Sequence, residues 1–193
     1  ASYPFLVSLL TQGDTQRFDQ TLRTALRAGV GLIIPCALWM MATAWPIMTV
    51  IFQGGRFGLA ETLAAAPLTQ IMLAACPLWI IYMILVRAYY AHGDTLTPAL
   101  TGTIMTLICL PVYHCWAVPL GAWAIAALSG ASVSLYVLWL VGIWIRRHGG
   151  GVFAGLCGLG LRALACSLPG AGVAWRLSRY CLEHLPLPPI AAA

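Results

Sequence analysis

Residues 121–145 read GAWAIAALSGASVSLYVLWLVGIWI, a run without a single Asp, Glu, Lys or Arg. A helix needs about 20 consecutive apolar residues to cross the hydrocarbon core of a bilayer, which is ~30 Å thick. The run is long enough, and Arg146 and Arg147 follow it directly. A helix on the surface of a soluble protein carries a polar face, which this one lacks. The run therefore predicts a membrane-spanning helix, and it decides the fold class.

Four further segments share this length and apolar character: residues 28–52, 63–91, 98–118 and 151–175. Two of the five predicted spans contain a formally charged residue, Arg87 near the end of the second span and Arg162 in the interior of the fifth. We predict an all-α integral membrane protein, in which about five transmembrane helices between residues 28 and 175 form a polytopic helical bundle.

The two ends of the chain are expected to lie outside this bundle. Residues 1–27 begin with an apolar stretch and continue, after Asp14 as a good N-cap, with Phe18 and Leu22 at helical spacing. We expect the end of a preceding membrane helix and then an amphipathic helix that lies along the inner surface and runs into the first span, a solvated connector being the alternative. Residues 176–193 are expected to form an outer-side tail that leads to a further helix.

The overall composition sets the chain apart from soluble proteins. Of its 193 residues, 61% are hydrophobic and 8% are charged, whereas soluble domains carry about 25% charged residues. A water-soluble enzyme is therefore excluded. Because cytoplasmic loops are enriched in positive side chains, the N-terminal end is expected in the cytoplasm. The inner Arg residues are then Arg17, Arg23, Arg27, Arg87, Arg146 and Arg147, and the outer ones are Arg56, Arg176 and Arg179.

Side chains that commonly build catalytic or metal sites are sparse. The seven cysteines contain no CxxC pair, and His114 beside Cys115 lacks the further ligands that a metal needs. None of the five acidic residues lies in the apolar interior of a span, and the common nucleophile and phosphate-loop motifs do not occur. We expect no catalytic residue, no metal, no cofactor and no nucleic-acid partner.

The most informative stretch joins the second and third spans, where residues 87–98 read RAYYAHGDTLTP. Gly93 predicts the end of one helix, and Thr97 followed by Pro98 predicts the N-cap and first residue of the next. Asp94 is expected to accept hydrogen bonds from the exposed backbone N–H groups of the turn. The stretch predicts a rigid inner turn with two aromatic anchors, and its structural residues are Tyr89, Tyr90, Gly93, Asp94, Thr97 and Pro98.

Arg87 and Arg162 are functional candidates, because a charge inside a membrane segment is costly. Each is a candidate contact for a phosphate group, since a guanidinium binds phosphate oxygens bidentately and stays charged. Structural roles are the alternatives. Arg87 would then lean toward Asp94 or a lipid phosphate, and Arg162 would extend to the inner headgroups or pair with another helix.

Small residues and prolines indicate how the spans pack. The fourth span presents a small residue at every fourth position, which lets another helix backbone approach closely; these residues are Ala122, Ala126, Gly130 and Ser134. Prolines interrupt the first three spans, at Pro35, Pro46, Pro67, Pro77 and Pro111. Bent helices with small-residue faces suit a bundle whose members change their packing.

Residues 87–98 resemble a recurring signature of the MviN/MurJ family of lipid II flippases, an Arg-Ala-aromatic-Tyr-Ala helix end followed by Asp-Thr-x-Thr-Pro. Neighbouring features resemble that family in order and spacing. They are the outer turn with Phe52, Gly55 and Phe57, the Pro-Leu-Gly-Ala opening of the fourth span, and the Arg146-Arg147 pair that closes it. The resemblance extends from the first residue to about Arg162.

The resemblance implies a bacterial inner-membrane transporter of the multidrug/oligosaccharidyl-lipid/polysaccharide exporter superfamily, built from two lobes that work by alternating access. The chain would supply the end of the eighth helix through the thirteenth. The implied partners are membrane lipids, the N-terminal lobe of the same protein and a lipid-linked pyrophosphate substrate. That substrate would be lipid II, the undecaprenyl-pyrophosphate-linked peptidoglycan precursor, so the implied role is transport for cell-wall synthesis and cell shape.

Two other functions are compatible with the same residues. One keeps the superfamily and changes the cargo to another lipid-linked oligosaccharide. The other makes the segment a membrane scaffold that recruits cell-wall enzymes without transporting anything. A cation exporter is disfavoured, because the spans contain no carboxylate that would bind a cation.

Overall fold

The computed structural model describes residues 2–52 and 58–184, and the regular structure in those ranges is helical. The α-helices are α1 (Ser2–Thr11), α2 (Thr15–Ala42), α3 (Ala44–Phe52), α4 (Leu59–Ala74), α5 (Cys76–Ala91), α6 (Leu96–Leu120), α7 (Ala122–His148) and α8 (Leu156–His184). A short 3-10 helix, Gly151–Phe153, precedes α8. The all-α prediction is confirmed.

Four helices, α2, α6, α7 and α8, are individually long and apolar enough to cross a membrane. Helices α4 and α5 pass the same test together, and their axes are bent by 42° at a break of one residue. Counting this bent pair as one span gives five. The predicted polytopic bundle of about five transmembrane helices is therefore confirmed by length and composition.

The helix that follows Asp14 runs directly into the first span. Helix α2 runs without a break from Thr15, with Asp14 as the predicted N-cap: its Oδ1 accepts the N–H of Arg17 at 3.0 Å. One apolar stripe continues along the helix at four-residue intervals, and all of its members are buried: Phe18, Leu22, Leu26, Val30 and Ile34. Neighbouring helices cover this stripe, which is why the helix continues into the bundle.

The core of the bundle lies where α2, α5 and α7 meet. Its fully buried side chains include Leu22 and Leu26 from α2, Leu85 from α5, and Leu140 and Trp144 from α7. Leu156 at the start of α8 belongs to the same cluster. The core is thus built from residues far apart in sequence, and it places the end of α5 directly against the end of α7.

Helix α8 packs along α2 and continues through Pro169. The close approach of the two helices depends on Gly170. A Cβ atom at that position would lie 3.0 Å from the Nε1 atom of Trp39 on α2. Packing against a neighbouring helix offsets the hydrogen bond that proline removes, as is common in membrane helices.

Leu22 and Leu32 lie on the same helix in opposite environments, with exposed fractions of 0% and 69%. Replacing Leu22 with Ala is expected to lower the free energy of unfolding by about 2–5 kcal/mol, because it removes buried apolar contacts and leaves a cavity. Leu32→Ala is the matched control and is expected to change stability by about 0.5 kcal/mol or less. Unfolding of the purified protein in detergent measures both, and equal losses would contradict the assigned packing.

Candidate functional site

The turn between α5 and α6 is built by local backbone hydrogen bonds. Gly93 adopts a left-handed conformation, with φ of 75°, and its N–H donates to the carbonyl of Tyr90 at 3.0 Å. The N–H of Asp94 donates to the carbonyl of Tyr89 at 3.0 Å. Glycine suits this position because a left-handed conformation strains residues that carry a Cβ atom. The sequence thus places the end of α5 correctly.

Asp94 caps the helix that follows. Its Oδ1 accepts the N–H of Thr97 at 2.9 Å, and its Oδ2 accepts the hydroxyl of Thr97 at 2.6 Å. Helix α6 therefore begins at Leu96, so Thr97 lies in the first turn and is not the N-cap, and Pro98 is the third residue of the helix. The Thr97 hydroxyl, together with the nearby Arg147 guanidinium, lowers the pKa of the Asp94 carboxyl below its usual value.

The cation that pairs with Asp94 comes from the last turn of α7. The Nη1 atom of Arg147 donates to Oδ2 of Asp94 at 2.7 Å and to the hydroxyl of Thr97 at 3.1 Å. In the sequence, the structural alternatives for Arg87 are to lean toward Asp94 or toward a lipid phosphate. Arg147 carries no local signal for this role, because it lies 53 residues further along the chain. We call the Asp94, Thr97 and Arg147 arrangement the inner clasp.

Two tyrosines add hydrogen bonds between α7 and the helices on either side of the turn. The hydroxyl of Tyr89, whose side chain is fully buried, donates to the carbonyl of Leu140 at 2.9 Å. The hydroxyl of Tyr136 donates to the carbonyl of Pro98 at 2.9 Å. Tyr90, the other predicted anchor, is exposed. Helix α7 therefore holds the end of α5, the turn and the start of α6.

A cluster of rings lies beneath the inner clasp. Trp144 is fully buried, and the rings of Tyr89 and His92 meet it edge-on at centroid distances of 5.0 and 5.4 Å. The ring of His148 stacks on Trp144 at 4.4 Å, and Phe18 from α2 meets His92 at 4.8 Å. These contacts join α2, α5 and α7 at one end of the bundle, which makes the turn part of the core.

Both candidate phosphate contacts are exposed, Arg87 on α5 and Arg162 on α8. The sequence places Arg162 eleven residues into a span that begins at Gly151. The membrane-length apolar segment also begins at Gly151. Within it, the continuous helix α8 begins at Leu156, after Gly155 in a left-handed conformation with φ of 78°. Arg162 therefore lies six residues from the first residue of the helix, or about 9 Å at 1.5 Å per residue.

The small residues of α7 face the bent pair of α4 and α5 at one point. A Cβ atom at Gly130 would lie 3.6 Å from the Cβ atom of Ala75, the residue between those two helices. Ala126 is buried, whereas Ala122 is exposed, and the hydroxyl of Ser134 donates to the carbonyl of Gly130.

The predicted outer turn is described only in part. Phe52, the last residue of α3, is exposed, and Gly55 and Phe57 lie outside the described residues.

A cavity of about 460 Å³ lies between α6 and α7. Its lining is mostly apolar, from residues such as Met105, Leu110 and Val133, and it contains no Arg. This chemistry does not suit a pyrophosphate group, which requires cationic partners.

Within residues 2–52 and 58–184, no group of three or more His, Cys, Asp and Glu side chains is arranged to hold a metal ion.

The fold and the clasped turn define a polytopic helical membrane protein. A family profile described as "Lipid II flippase MurJ" matches residues 3–186, and the chain belongs to that family.

Individual relatives agree with this assignment. A probable lipid II flippase MurJ of Haemophilus influenzae is 27% identical over 134 residues, which is 66% of this chain and 26% of the relative. The lipid II flippase MurJ of Thermosipho africanus is 25% identical over 131 residues, covering 66% of this chain and 28% of the relative. A probable lipid II flippase MurJ of Rickettsia prowazekii is 27% identical over 105 residues, covering 54% and 20%. The chain spans about a quarter of the length of these relatives.

Asp94 and Arg147 are expected to contribute unequally to the inner clasp. Asp94→Ala removes a helix cap, which costs about 1 kcal/mol. Arg147→Gln removes an ion pair whose side chains are 53% and 26% exposed, and such a pair contributes less than about 1 kcal/mol. Unfolding of the single and double variants at pH 7 measures both losses and their coupling. A larger loss for Arg147→Gln than for Asp94→Ala would contradict the capping role of Asp94.

The unfolding measurement is made at pH 7 because the pKa of Asp94 is lowered. The charged carboxylate stabilises the fold fully above the unfolded pKa of about 3.9, and this stabilisation is lost as the pH falls through the lower folded value. At pH 7 the whole contribution of the carboxylate is therefore present. The Asp94→Ala variant is expected to lack this acid-dependent loss of stability.

Proposed function

We propose that this chain forms the C-terminal part of a flippase that moves lipid II across the bacterial cytoplasmic membrane by alternating access. The observation that carries the proposal is the family match over residues 3–186, in a chain with about five apolar spans. The relatives named as lipid II flippases extend well beyond the matched region. The complete protein is therefore proposed to hold a second lobe in addition to this one.

The proposed substrate sets clear physical requirements. A pyrophosphate headgroup is costly to move through hydrocarbon, whereas its polyprenyl tail is stable there. A water-filled cavity lined by Arg side chains meets both requirements, because guanidinium groups bind phosphate oxygens and stay charged. The cavity opens to each side in turn when two lobes rock about a central site. This role is transport, not catalysis.

The proposed domain arrangement follows from the charges. The N-terminal end lies in the cytoplasm, and the inner clasp lies at the cytoplasmic ends of α5, α6 and α7. The membrane bundle occupies residues 28–175, with residues 1–27 preceding it at the inner surface and residues 176–193 leading away on the outer side. In support, the positive charge of α7 is concentrated in its last turn, next to the clasp.

Arg87 is the proposed phosphate contact with the strongest support, because it belongs to the family-like motif and stands one turn before the inner turn. It is exposed, whereas the nearby residues Leu85, Ala88 and Tyr89 of the same helix are buried in the core. The core thus fixes the backbone from which the guanidinium extends. Arg162 is the second proposed contact and lies near the start of α8.

Arg87→Ala in the complete protein is expected to slow lipid II translocation by about tenfold to a hundredfold, since a hydrogen bond to a charged group contributes about 1.5–3 kcal/mol. Arg87→Lys should recover part of the rate, because it restores the charge without the bidentate geometry. Arg146→Ala, another exposed Arg outside the proposed contact set, is the control. The measurement is the loss of accessibility of labelled lipid II headgroups in reconstituted vesicles.

The same vesicles separate the proposed function from its alternatives. Equal translocation by the wild type and Arg87→Ala would remove Arg87 from the site. Translocation of another lipid-linked oligosaccharide, but not of lipid II, would change the cargo. Headgroup accessibility that never responds to the wild-type protein would leave a scaffold that recruits cell-wall enzymes as the function.

A further inference from the structure

Two helices that pack against each other, α3 and α4, are each joined to the next helix of the bundle through a single residue. Helix α2 ends at Ala42 and α3 begins at Ala44, so Thr43 stands between them. Helix α4 ends at Ala74 and α5 begins at Cys76, so Ala75 stands between that pair. The α3–α4 unit, comprising Ala44–Phe52 and Leu59–Ala74, is therefore connected to α2 and α5 through two short breaks.

Proline explains why both breaks occur where they do. Pro46 and Pro77 follow the two breaks within the first turn of α3 and α5. A proline has no N–H, and its ring clashes with the carbonyl four residues earlier, which here belongs to Ala42 and to Leu73. Each carbonyl lies within two residues of a break. At Ala75 the axes of α4 and α5 are bent by 42°. At Thr43 the α-helical pattern continues, with Thr43 bonded to Trp39 and Ile47 bonded to Thr43, so there the helix is weakened by the hydrogen bond that Pro46 cannot donate.

Both breaks keep their own backbone N–H groups satisfied. The N–H of Thr43 donates to the carbonyl of Trp39 at 3.0 Å, and its hydroxyl donates to the same carbonyl at 2.7 Å. The N–H of Ala75 donates to the carbonyl of Met72 at 3.2 Å. These bonds are local, so a change of angle at either break does not expose an unpaired N–H group to hydrocarbon. A break of this kind is suited to bending.

Helix α7 packs closely against the second break, at Ala75. A Cβ atom at Gly130 would lie 3.6 Å from the Cβ atom of Ala75 and 4.0 Å from the carbonyl oxygen of Ile71. A methyl group would thus make ordinary contact, whereas a larger side chain would overlap with the bent pair. Gly142, on the same helix, has no atom within 4 Å of its Cβ position. The closeness is specific to Gly130.

A side-chain hydrogen bond links α4 to the end of α2. The Nε2 atom of Gln70 on α4 donates to the carbonyl of Met41 in the last turn of α2 at 2.9 Å. A side-chain hydrogen bond between membrane helices contributes about 0.6 kcal/mol on average. Such a bond holds one arrangement without making it permanent.

The α3–α4 unit lies away from the inner clasp. Sixteen residues separate Ala75 from Ala91 at the end of α5, which corresponds to about 24 Å of helix at 1.5 Å per residue. One end of the bundle is clasped by Asp94 and Arg147, and toward the other end two neighbouring spans are broken.

We propose that the α3–α4 unit is a hinged gate, which rotates as one body about Thr43 and Ala75. In its closed position, Ala75 packs against Gly130, and the hydrogen bond from Gln70 to Met41 stabilises this arrangement. The inference rests on the proposed function, since it supplies a moving part for alternating access. The body that stays still is the clasped set of α2, α5 and α7, whose buried residues form the core.

The first experiment uses the complete protein in lipid vesicles with native cysteines replaced by Ala, and spin labels at positions 63 and 138. Leu63 on α4 and Leu138 on α7 are both exposed. The wild type is expected to show two distances between the spin labels, one for each position of the gate. Gly130→Leu is expected to show only one, because the larger side chain prevents Ala75 from packing against position 130. Gly142→Leu, the matched control, is expected to keep both. A single separation in the wild type, or two in Gly130→Leu, would overturn the hinge.

The second measurement is lipid II translocation by the same proteins. Gly130→Leu is expected to slow it by at least about tenfold, equivalent to ~1.4 kcal/mol of barrier, while Gly130→Ala and Gly142→Leu stay close to the wild type. Equal rates for Gly130→Leu and Gly142→Leu would overturn the gate. A wild type that translocates no lipid II contradicts the proposed function instead, and the label separations still decide the hinge.

A third variant covers the case in which Gly130→Leu does not fold. Pro77→Ala restores a backbone N–H that pairs with the carbonyl of Leu73, so the bend at Ala75 is expected to decrease and the two separations to merge into one. Pro67→Ala is its control, because Pro67 lies inside α4, where the helix is unbroken. Separations that are the same in Pro77→Ala and Pro67→Ala would overturn the role of the break.

Discussion

The hydrocarbon core of a bilayer contains no water, so every backbone N–H and C=O group must find its partner inside the protein. The helical structure of this chain follows from that constraint. Side-chain hydroxyls obey it as well, since most of them donate to the carbonyl four residues earlier on the same helix; examples are Thr49, Thr69, Thr103, Ser132 and Ser167. Where the helices break at Thr43 and Ala75, the interruption is limited to one residue, and its N–H remains bonded.

Backbone outside the regular helices is stable in a membrane only where water or other protein groups form hydrogen bonds with its N–H and C=O groups. The turn between α5 and α6 meets the condition with its own side chains, because Asp94 accepts two hydrogen bonds from Thr97 and pairs with Arg147. Helix α7 then adds a tyrosine contact on either side, through Tyr89 and Tyr136. The residues that resemble the lipid II flippase signature thus build a rigid joint between three helices. Arg87, the member of the signature that is proposed to contact phosphate, is exposed on α5.

The bundle combines this rigid end with spans that are broken further along. A transporter that opens to alternate sides needs both properties, because rocking requires bodies that keep their shape and joints that change angle. Small residues allow close packing at two places in the bundle. Gly130 leaves room for Ala75, so α7 packs against the bend between α4 and α5, and Gly170 leaves room for Trp39, so α8 packs against α2. The proposed hinge depends on the close approach of Gly130 to Ala75.

The sequence by itself determined the all-α membrane class, the number of spans, the Asp14 cap and the end of α5 near Gly93. These are local properties, set by the solvent around a segment and by the backbone freedom of single residues. Only the tertiary structure decided that Arg147 pairs with Asp94, that neighbouring helices cover the apolar stripe of α2, and that Gly130 faces the break at Ala75. Such pairings depend on which helices become neighbours, and apolar spans with similar composition leave that choice to packing.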